Sequence, residues 1–350
     1  MIYRKLGKTG LKIPPIIFGT SALGNLYVAL DDNTKLNIVS ECFKHMPRPV
    51  VFDCAGKYGA GLALETLGKL LNELNIDEKD VIISNKLGWT RIPLKTPEPT
   101  FEPGVWRDLK YDAVQQISYD GIISCWEQGT KLLGEKYQPK LVSVHDPDEY
   151  VNQASNDQEK EKLFNHILDA YKALAELKKQ GKVKALGVGA KNWNIIEKIS
   201  EHVELDWVMF ANSLTIMNHP PLLLNFMDKL YHKGVAIINS AVFHAGFLTG
   251  GDYYDYKLIK PDTEENKARF KWREIFFSLC HKYEVVPATA CVNFAMTPPG
   301  VLSIALNTSK PKNVKNNIES VTSEINPKFW TEMKQKGLIS KDYPYLKEGL

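Results

Sequence analysis

Val50-Val51-Phe52-Asp53-Cys54-Ala55-Gly56-Lys57-Tyr58-Gly59 is the stretch on which the reading of this chain turns. Three apolar, β-prone residues run without alternation into an aspartate, and a glycine-flanked loop then carries a lysine and a tyrosine. An unbroken apolar run suits a strand buried on both faces, as in a parallel sheet, rather than one with a wet side. The same grammar recurs at Val81-Ile82-Ile83-Ser84-Asn85-Lys86 and at Leu141-Val142-Ser143-Val144-His145, each closing on an ionisable residue.

Similar runs stand at Ile16-Ile17-Phe18, Ala185-Leu186-Gly187-Val188, Trp207-Val208-Met209-Phe210, Val235-Ala236-Ile237-Ile238 and Leu302-Ser303-Ile304-Ala305-Leu306. Helical patterns follow them at 32–44, 62–74, 120–133, 163–179, 195–202, 222–232, 273–283 and 313–321. In the fourth, Leu163, Ile167, Ala170, Leu174 and Leu177 share one apolar stripe, and Gly181 ends the pattern after a lysine-rich last turn. Strands alternating with helices admit a doubly wound sheet or a closed barrel. The count of eight and the lack of a linker favour an α/β fold, a TIM (β/α)8 barrel forming a single domain over 1–350. Long loops at 87–117 and 249–271, after strands 3 and 7, fall on the face where barrels build their sites. Tyr3 to Ile13 reads as an N-terminal β-hairpin turning at Gly7 and Gly10 and plugging the opposite end.

Composition narrows the function classes. Of 350 residues, 44 are Lys or Arg and 41 Asp or Glu, without a basic block, so neither nucleic acid nor an anionic membrane is an expected partner. No apolar run of about 18 residues could span a bilayer, and Met1-Ile2-Tyr3-Arg4-Lys5 lacks a signal core. The five cysteines are scattered without a C-x-x-C pair, which argues against a disulfide framework or zinc ribbon and for a reducing cytoplasm. Oligomeric state leaves no mark in the sequence.

Asp53, Lys86 and His145 close three consecutive strands, with Tyr58 beside the first. Hydride addition to a carbonyl leaves an alkoxide that needs a proton, and the reverse reaction needs that proton removed. A tyrosine hydroxyl serves both directions, but its ordinary pKa of about 10 is high for neutral conditions. A nearby lysine ammonium lowers it, an aspartate holds that lysine charged, and a neutral histidine donates to the substrate oxygen. Singly, each residue has a plainer reading: a helix cap, a solvent-reaching lysine, a packing ring, a turn. Their joint placement carries the argument. A metal-dependent hydrolase barrel would need several His or carboxylate ligands; only Asp53 and His145 qualify and Lys86 would repel a cation, so no metal is expected.

These motifs together resemble the aldo-keto reductase family over nearly the whole chain. The family's D-T-A-x-x-Y-G-x-G-x-x-E stretch is matched by Asp53 to Glu65, its lysine strand by Ile82 to Lys86, its histidine strand by Leu141 to His145, and its first strand by Phe18-Gly19-Thr20. The resemblance implies a catalytic Asp53-Tyr58-Lys86-His145 tetrad and an NAD or NADP cofactor. It places Gly19, Thr20, Asn192, Ser240, Phe243, Gly246, Ser309, Lys310 and Asn317 at that cofactor. Met209 stands where many members have a nicotinamide-binding glutamine, which leaves Asn192 to carry the contact. Ser309 stands where NADP-preferring members often have arginine; this favours NAD, although Lys310 and Lys312 can neutralise a phosphate.

His145-Asp146-Pro147-Asp148, Gly187-Val188-Gly189 and Asn326-Pro327-Lys328-Phe329-Trp330 look like the sugar-oxidising branch of the family. The implied reaction is oxidation of an L-fucose, L-galactose or D-threo-aldose type sugar at C1 to its lactone, or reduction of a small aldehyde. A pyridoxal 4-dehydrogenase-like activity is the alternative within the family, and a cofactor-holding regulatory subunit is the alternative outside it. Trp89, Trp106 and Tyr254 lie in the long loops that would wall a substrate pocket.

Overall fold

In a computed structural model, which describes residues 1–255 and 257–346, the eight apolar runs are the parallel strands of one closed barrel. They are β1 (Ile16–Gly19), β2 (Val50–Ala55), β3 (Val81–Leu87), β4 (Leu141–His145), β5 (Ala185–Ala190), β6 (Trp207–Ala211), β7 (Ala236–Ser240) and β8 (Val301–Leu306). Each pairs with the next in chain order, and β8 closes on β1. Tyr256, inside the second long loop, and residues 347–350 of the expected domain lie outside the described residues.

Strand pleating sorts the side chains. Inward-facing Ile17, Val51, Ile82, Leu141, Trp207 and Ile238 fill the barrel, while Phe18, Phe52, Ile83, Val142, Val144 and Val188 point outward beneath the helices. Trp207 fills its layer because the facing strand offers Gly187. A Cβ on Gly187 would lie 2.3 Å from the Trp207 indole, closer than any real contact. Gly187→Ala is therefore expected to destabilise the fold by about 1–3 kcal/mol through overpacking. A shifted urea midpoint measures this, and a parent-like midpoint would refute it.

The helices are α1 (Asp32–His45), α2 (Leu62–Glu73), α3 (Tyr119–Leu132), α4 (Pro147–Val151), α5 (Asp157–Lys179), α6 (Trp193–Ser200), α7 (Pro221–Lys233), α8 (Glu264–Lys282), α9 (Pro287–Ala295), α10 (Lys312–Ser320) and α11 (Pro327–Gln335). Two, α5 and α8, begin more than a turn earlier than the apolar periodicity indicates. Asn156 caps α5 by accepting from Glu159 N, and Thr263 caps α8 by accepting from Asn266 N, so polar first turns are recruited into helix. The second long loop consequently ends at the start of α8 rather than at 271.

The long loops are also more ordered than their composition suggests. The first folds into an antiparallel pair, Trp89–Pro93 with Tyr111–Gln115. It packs Phe101, Trp106 and Ala113 against Ala60, Tyr58 and Leu26. The second carries a two-residue pair, Tyr253–Tyr254 with Lys257–Leu258. The Tyr253 ring meets Tyr27 of the β1 loop at 5.3 Å between centroids. At the other end, Arg4–Lys5 pairs with Lys12–Ile13, and Leu6 and Ile13 join the barrel's interior cluster. Gly7, at φ +51°, brings its backbone against Asp206 O, where a Cβ would sit at 2.6 Å. The hairpin plugs the barrel's N-terminal end as expected.

Candidate active site

Inward pleating places Asp53, Lys86 and His145 near the C-terminal ends of neighbouring β2, β3 and β4, each stepped two residues along the register, since Asp53 lies opposite Ser84 and Lys86 opposite Ser143. All three are buried. Lys86 Nζ donates to Asp53 Oδ2, and Ser84 Oγ donates to Asp53 Oδ1 at 3.0 Å. The stem of Lys86 crosses Gly189 of β5, where an added Cβ would stand 3.3 Å from Lys86 Cδ. Gly189 thus leaves room for the lysine.

Tyr58 is held by backbone packing. Gly59, at φ +61°, and Gly24 of the β1 loop press together so closely that a Cβ on Gly59 would lie 2.3 Å from Gly24 O. A Cβ on Gly24 would meet the Tyr58 backbone at 2.8 Å. The ring then lies with Lys86 Nζ 4.6 Å from its centroid. His145 stands edge-on to it at 5.7 Å, and Trp106 of the first long loop flanks it at 6.0 Å. The four residues therefore converge on one patch of the rim.

Burial disfavours charge on Lys86, but Asp53 first and Tyr58 next outweigh it, so its pKa is raised and it stays an ammonium. His145 is pushed well below the ordinary imidazole range by burial, then by Lys86 and Lys57, and is neutral. Tyr58 departs from the expectation of a lowered pKa. Burial raises it by more than Lys86 lowers it, so the hydroxyl is a neutral acid in the free protein. Lys86 limits the rise rather than reversing it.

The residues expected at the cofactor divide into two groups. Gly19 ends β1 beside Asn307, Ser240 ends β7 with Oγ donating to Phe210 O at 3.0 Å, and Gly246 opens a short turn at φ +100°. Half-buried Phe243 lies between those two, half-buried Ser309 and exposed Lys310 follow β8, and Asn317 sits on α10. Because β7, β8 and β1 are neighbours, these residues occupy one sector of the rim. Thr20 is buried, its hydroxyl donating to Asp53 O at 3.0 Å, so it braces β2. Asn192 stands apart: its side chain is exposed, and its oxygen accepts from Asn194 N as the cap of α6. Met209 lies in the barrel's interior cluster.

Of the aromatic residues in the long loops, Trp106 flanks Tyr58, Trp89 lies 5.0 Å under Lys57 Nζ, and Tyr254 stacks on His244 at 4.5 Å. Two residues escaped the sequence reading. Asn212, just past β6 at φ +59°, donates its N–H to Ser240 O and keeps a buried Oδ1 with no partner among the described residues. An Asn directly after a strand is a left-handed-turn signal that could have drawn notice. Lys57 is buried among carboxylates, and nothing in its local sequence marks this.

Among the described residues, no group of three or more His, Cys, Asp or Glu is arranged to hold a metal ion, and no helix is long and apolar enough to cross a membrane. A closed barrel presenting an ammonium–carboxylate pair under a tyrosine, with a neutral histidine edge-on to it, belongs to the class of NAD(P)-dependent oxidoreductases.

Comparison with known proteins gives the same class. The chain is 26% identical over 351 residues to a pyridoxal 4-dehydrogenase of Microbacterium luteolum, covering 96% of this chain and 98% of that one. It is 24% identical over 343 residues to a D-threo-aldose 1-dehydrogenase of a Pseudomonas species, covering 94% and 96%. Its fold matches the holo form of an aldo-keto reductase from Bacillus halodurans with a TM-score of 0.69 at 17% identity, over 98% of this chain and 99% of that one. The model of the aldo/keto reductase family matches residues 15–337, and the chain belongs to that family.

Proposed function

We propose that this protein oxidises a cyclic hemiacetal, an aldose at C1 in the first instance, to the lactone, as a single barrel domain with NAD preferred over NADP. The observation that carries the reading is the buried Lys86–Asp53 pair beneath Tyr58, with His145 edge-on to the same ring. A nicotinamide cofactor supplies the hydride exchange at carbon. The rim fits such a group: Asn212 Oδ1 is a buried acceptor without a partner among the described residues, beside Ser240, and suits the amide donors of a carboxamide. Gly19, Gly246, Ser309 and Lys310 would hold the nucleotide end, and a serine at 309 without a nearby arginine supports NAD.

The proton belongs to this chain's residues. In the oxidative direction Tyr58 Oη takes the proton of the hemiacetal hydroxyl as the carbon gives up hydride, and the C–O bond becomes the lactone carbonyl. In reduction Tyr58 returns that proton. Lys86 stabilises the phenolate that oxidation consumes and reduction regenerates, Asp53 holds Lys86, and His145 donates a hydrogen bond to the substrate oxygen.

A second substrate has a specific observation behind it. Trp106, Phe101 and Trp89 form an aromatic cluster alongside Tyr58, which suits a planar ring, and pyridoxal also closes on its own aldehyde as a hemiacetal. The test is a panel of L-fucose, L-galactose, D-threo-aldoses, pyridoxal and simple aldehydes, assayed with NAD and NADP by nicotinamide absorbance. Turnover with NAD on a hemiacetal, with lactone as product, is expected. Turnover confined to acyclic aldehydes would sink the hemiacetal reading, and saturable nucleotide binding without turnover would make the chain a regulatory subunit.

A further inference from the structure

Lys57, the residue before Tyr58, is 3% exposed and lies among carboxylates from two further loops. Its ammonium meets Asp146 Oδ2 at 2.8 Å and Glu149 Oε2 at 2.8 Å, both beyond β4, and Glu102 Oε1 at 2.9 Å, in the first long loop. Lys191, after β5, binds the other Glu149 oxygen at 2.6 Å. A lysine costs much to bury unless paired, and here burial is outweighed by Asp146, Glu102 and Glu149, so Lys57 is held charged.

The geometry around Asp146 gives this hub a chemical consequence. The same Oδ2 that binds Lys57 lies 3.5 Å from Nε2 of His145, too far for a strong hydrogen bond. Nδ1 of His145 is buried and has no partner among the described residues, so Nε2 is the nitrogen able to reach a substrate. An unrestrained Asp146 carboxylate would be the nearest acceptor for the Nε2 proton. It would compete with a substrate oxygen, and its charge would draw a second proton onto the ring.

We propose that Lys57 is a positioning residue: by holding the Asp146 carboxylate off His145 Nε2, it keeps that N–H available to the substrate oxygen. The inference rests on the carbonyl chemistry proposed above, with His145 as donor. Groups facing His145 come from every side: Lys86 of β3, Lys57 and Tyr58 of the β2 loop, Asp146 and Glu149 after β4, and Lys191 after β5. Burial supplies the largest opposition to an imidazolium, Lys86, Lys57 and Lys191 add to it, and Glu149 acts against them. Loss of Lys57 removes one of the cations and takes away the lysine partner of Asp146, Glu102 and Glu149, of which Glu149 keeps Lys191.

The test uses Lys57→Met, Asp146→Asn and the double variant on the full chain. His145 is followed by NMR of its imidazole nitrogens, and kcat and KM are read on the best substrate of the panel. Lys57→Met should shift the His145 titration upward, toward the ordinary imidazole range. It should also lower kcat at least about tenfold, toward the 10²–10³-fold loss of a missing oxyanion donor, and give kcat a new acidic limb. The double variant should return kcat to within about threefold of the parent and silence the titration again. A merely structural role for Lys57 would leave the double variant no better than the single one, and that outcome overturns the proposal. Where Lys57→Met does not fold, Asp146→Asn decides: a kcat loss matching that of His145→Ala would mean the carboxylate is needed beside the ring. Absence of turnover on the whole panel would instead defeat the proposed function, while the His145 titration would still test Lys57.

Discussion

Tyr58→Phe should abolish nearly all turnover in both directions, lowering kcat by about 10²–10⁴-fold, the usual contribution of a positioned acid–base group. The change removes one oxygen and keeps the ring, so the contacts with His145 at 5.7 Å and Trp106 at 6.0 Å persist and the fold is undisturbed. The pH dependence is the sharper signature. Burial raises the Tyr58 pKa despite Lys86, so the phenolate that oxidation needs is scarce at neutrality. The oxidative kcat/KM of the parent should rise with pH toward and beyond the ordinary tyrosine value of about 10, while reduction stays level across the neutral range. Tyr58→Phe should lose that alkaline rise. Retention of most activity, or of the rise, would assign the proton to another group.

Lys86→Met should damage stability and catalysis together, and the two can be separated. The pair is buried on both sides, with 3% and 4% of the side chains exposed. Removing the ammonium strands Asp53 as an uncompensated charge, which costs about 3–5 kcal/mol. Adding Asp53→Asn neutralises the orphan and should recover most of the denaturant midpoint without recovering turnover, since no cation remains to support a phenolate. Equal recovery of both would show that Lys86 acts only through the fold. Because the Lys86 pKa is raised in the folded state, the pair's contribution is complete below the ordinary lysine value, about 10.4, and lost only as pH climbs past it.

The barrel was legible because its strands are buried on both faces and therefore read as unbroken apolar runs; all eight lie where those runs stand. The helix starts at Asp157 and Glu264 were not, because their first turns are charged and carry no apolar stripe, and only Asn156 and Thr263 announce them. Strand periodicity also brought Asp53, Lys86 and His145 together, since each closes a strand on an inward position. Lys57 could not be found that way. Its partners Glu102, Asp146 and Glu149 come from remote loops, and a lysine in a glycine-flanked loop looks solvated until those loops are folded over it. Asn192 carries a second local signal: an asparagine ahead of Trp193–Ser200 is a helix cap by its sequence, and its oxygen takes that role in the structure.

The plugging hairpin bears on how this protein can be handled. Arg4 and Lys5 are exposed while Leu6 and Ile13 anchor the turn inside the barrel's floor, and Lys86 and His145 lie at the opposite mouth. A bead or electrode coupled through the hairpin's outer strand would hold each molecule upright, mouth outward. Diffusing substrate and nucleotide would then reach every immobilised copy without passing the support.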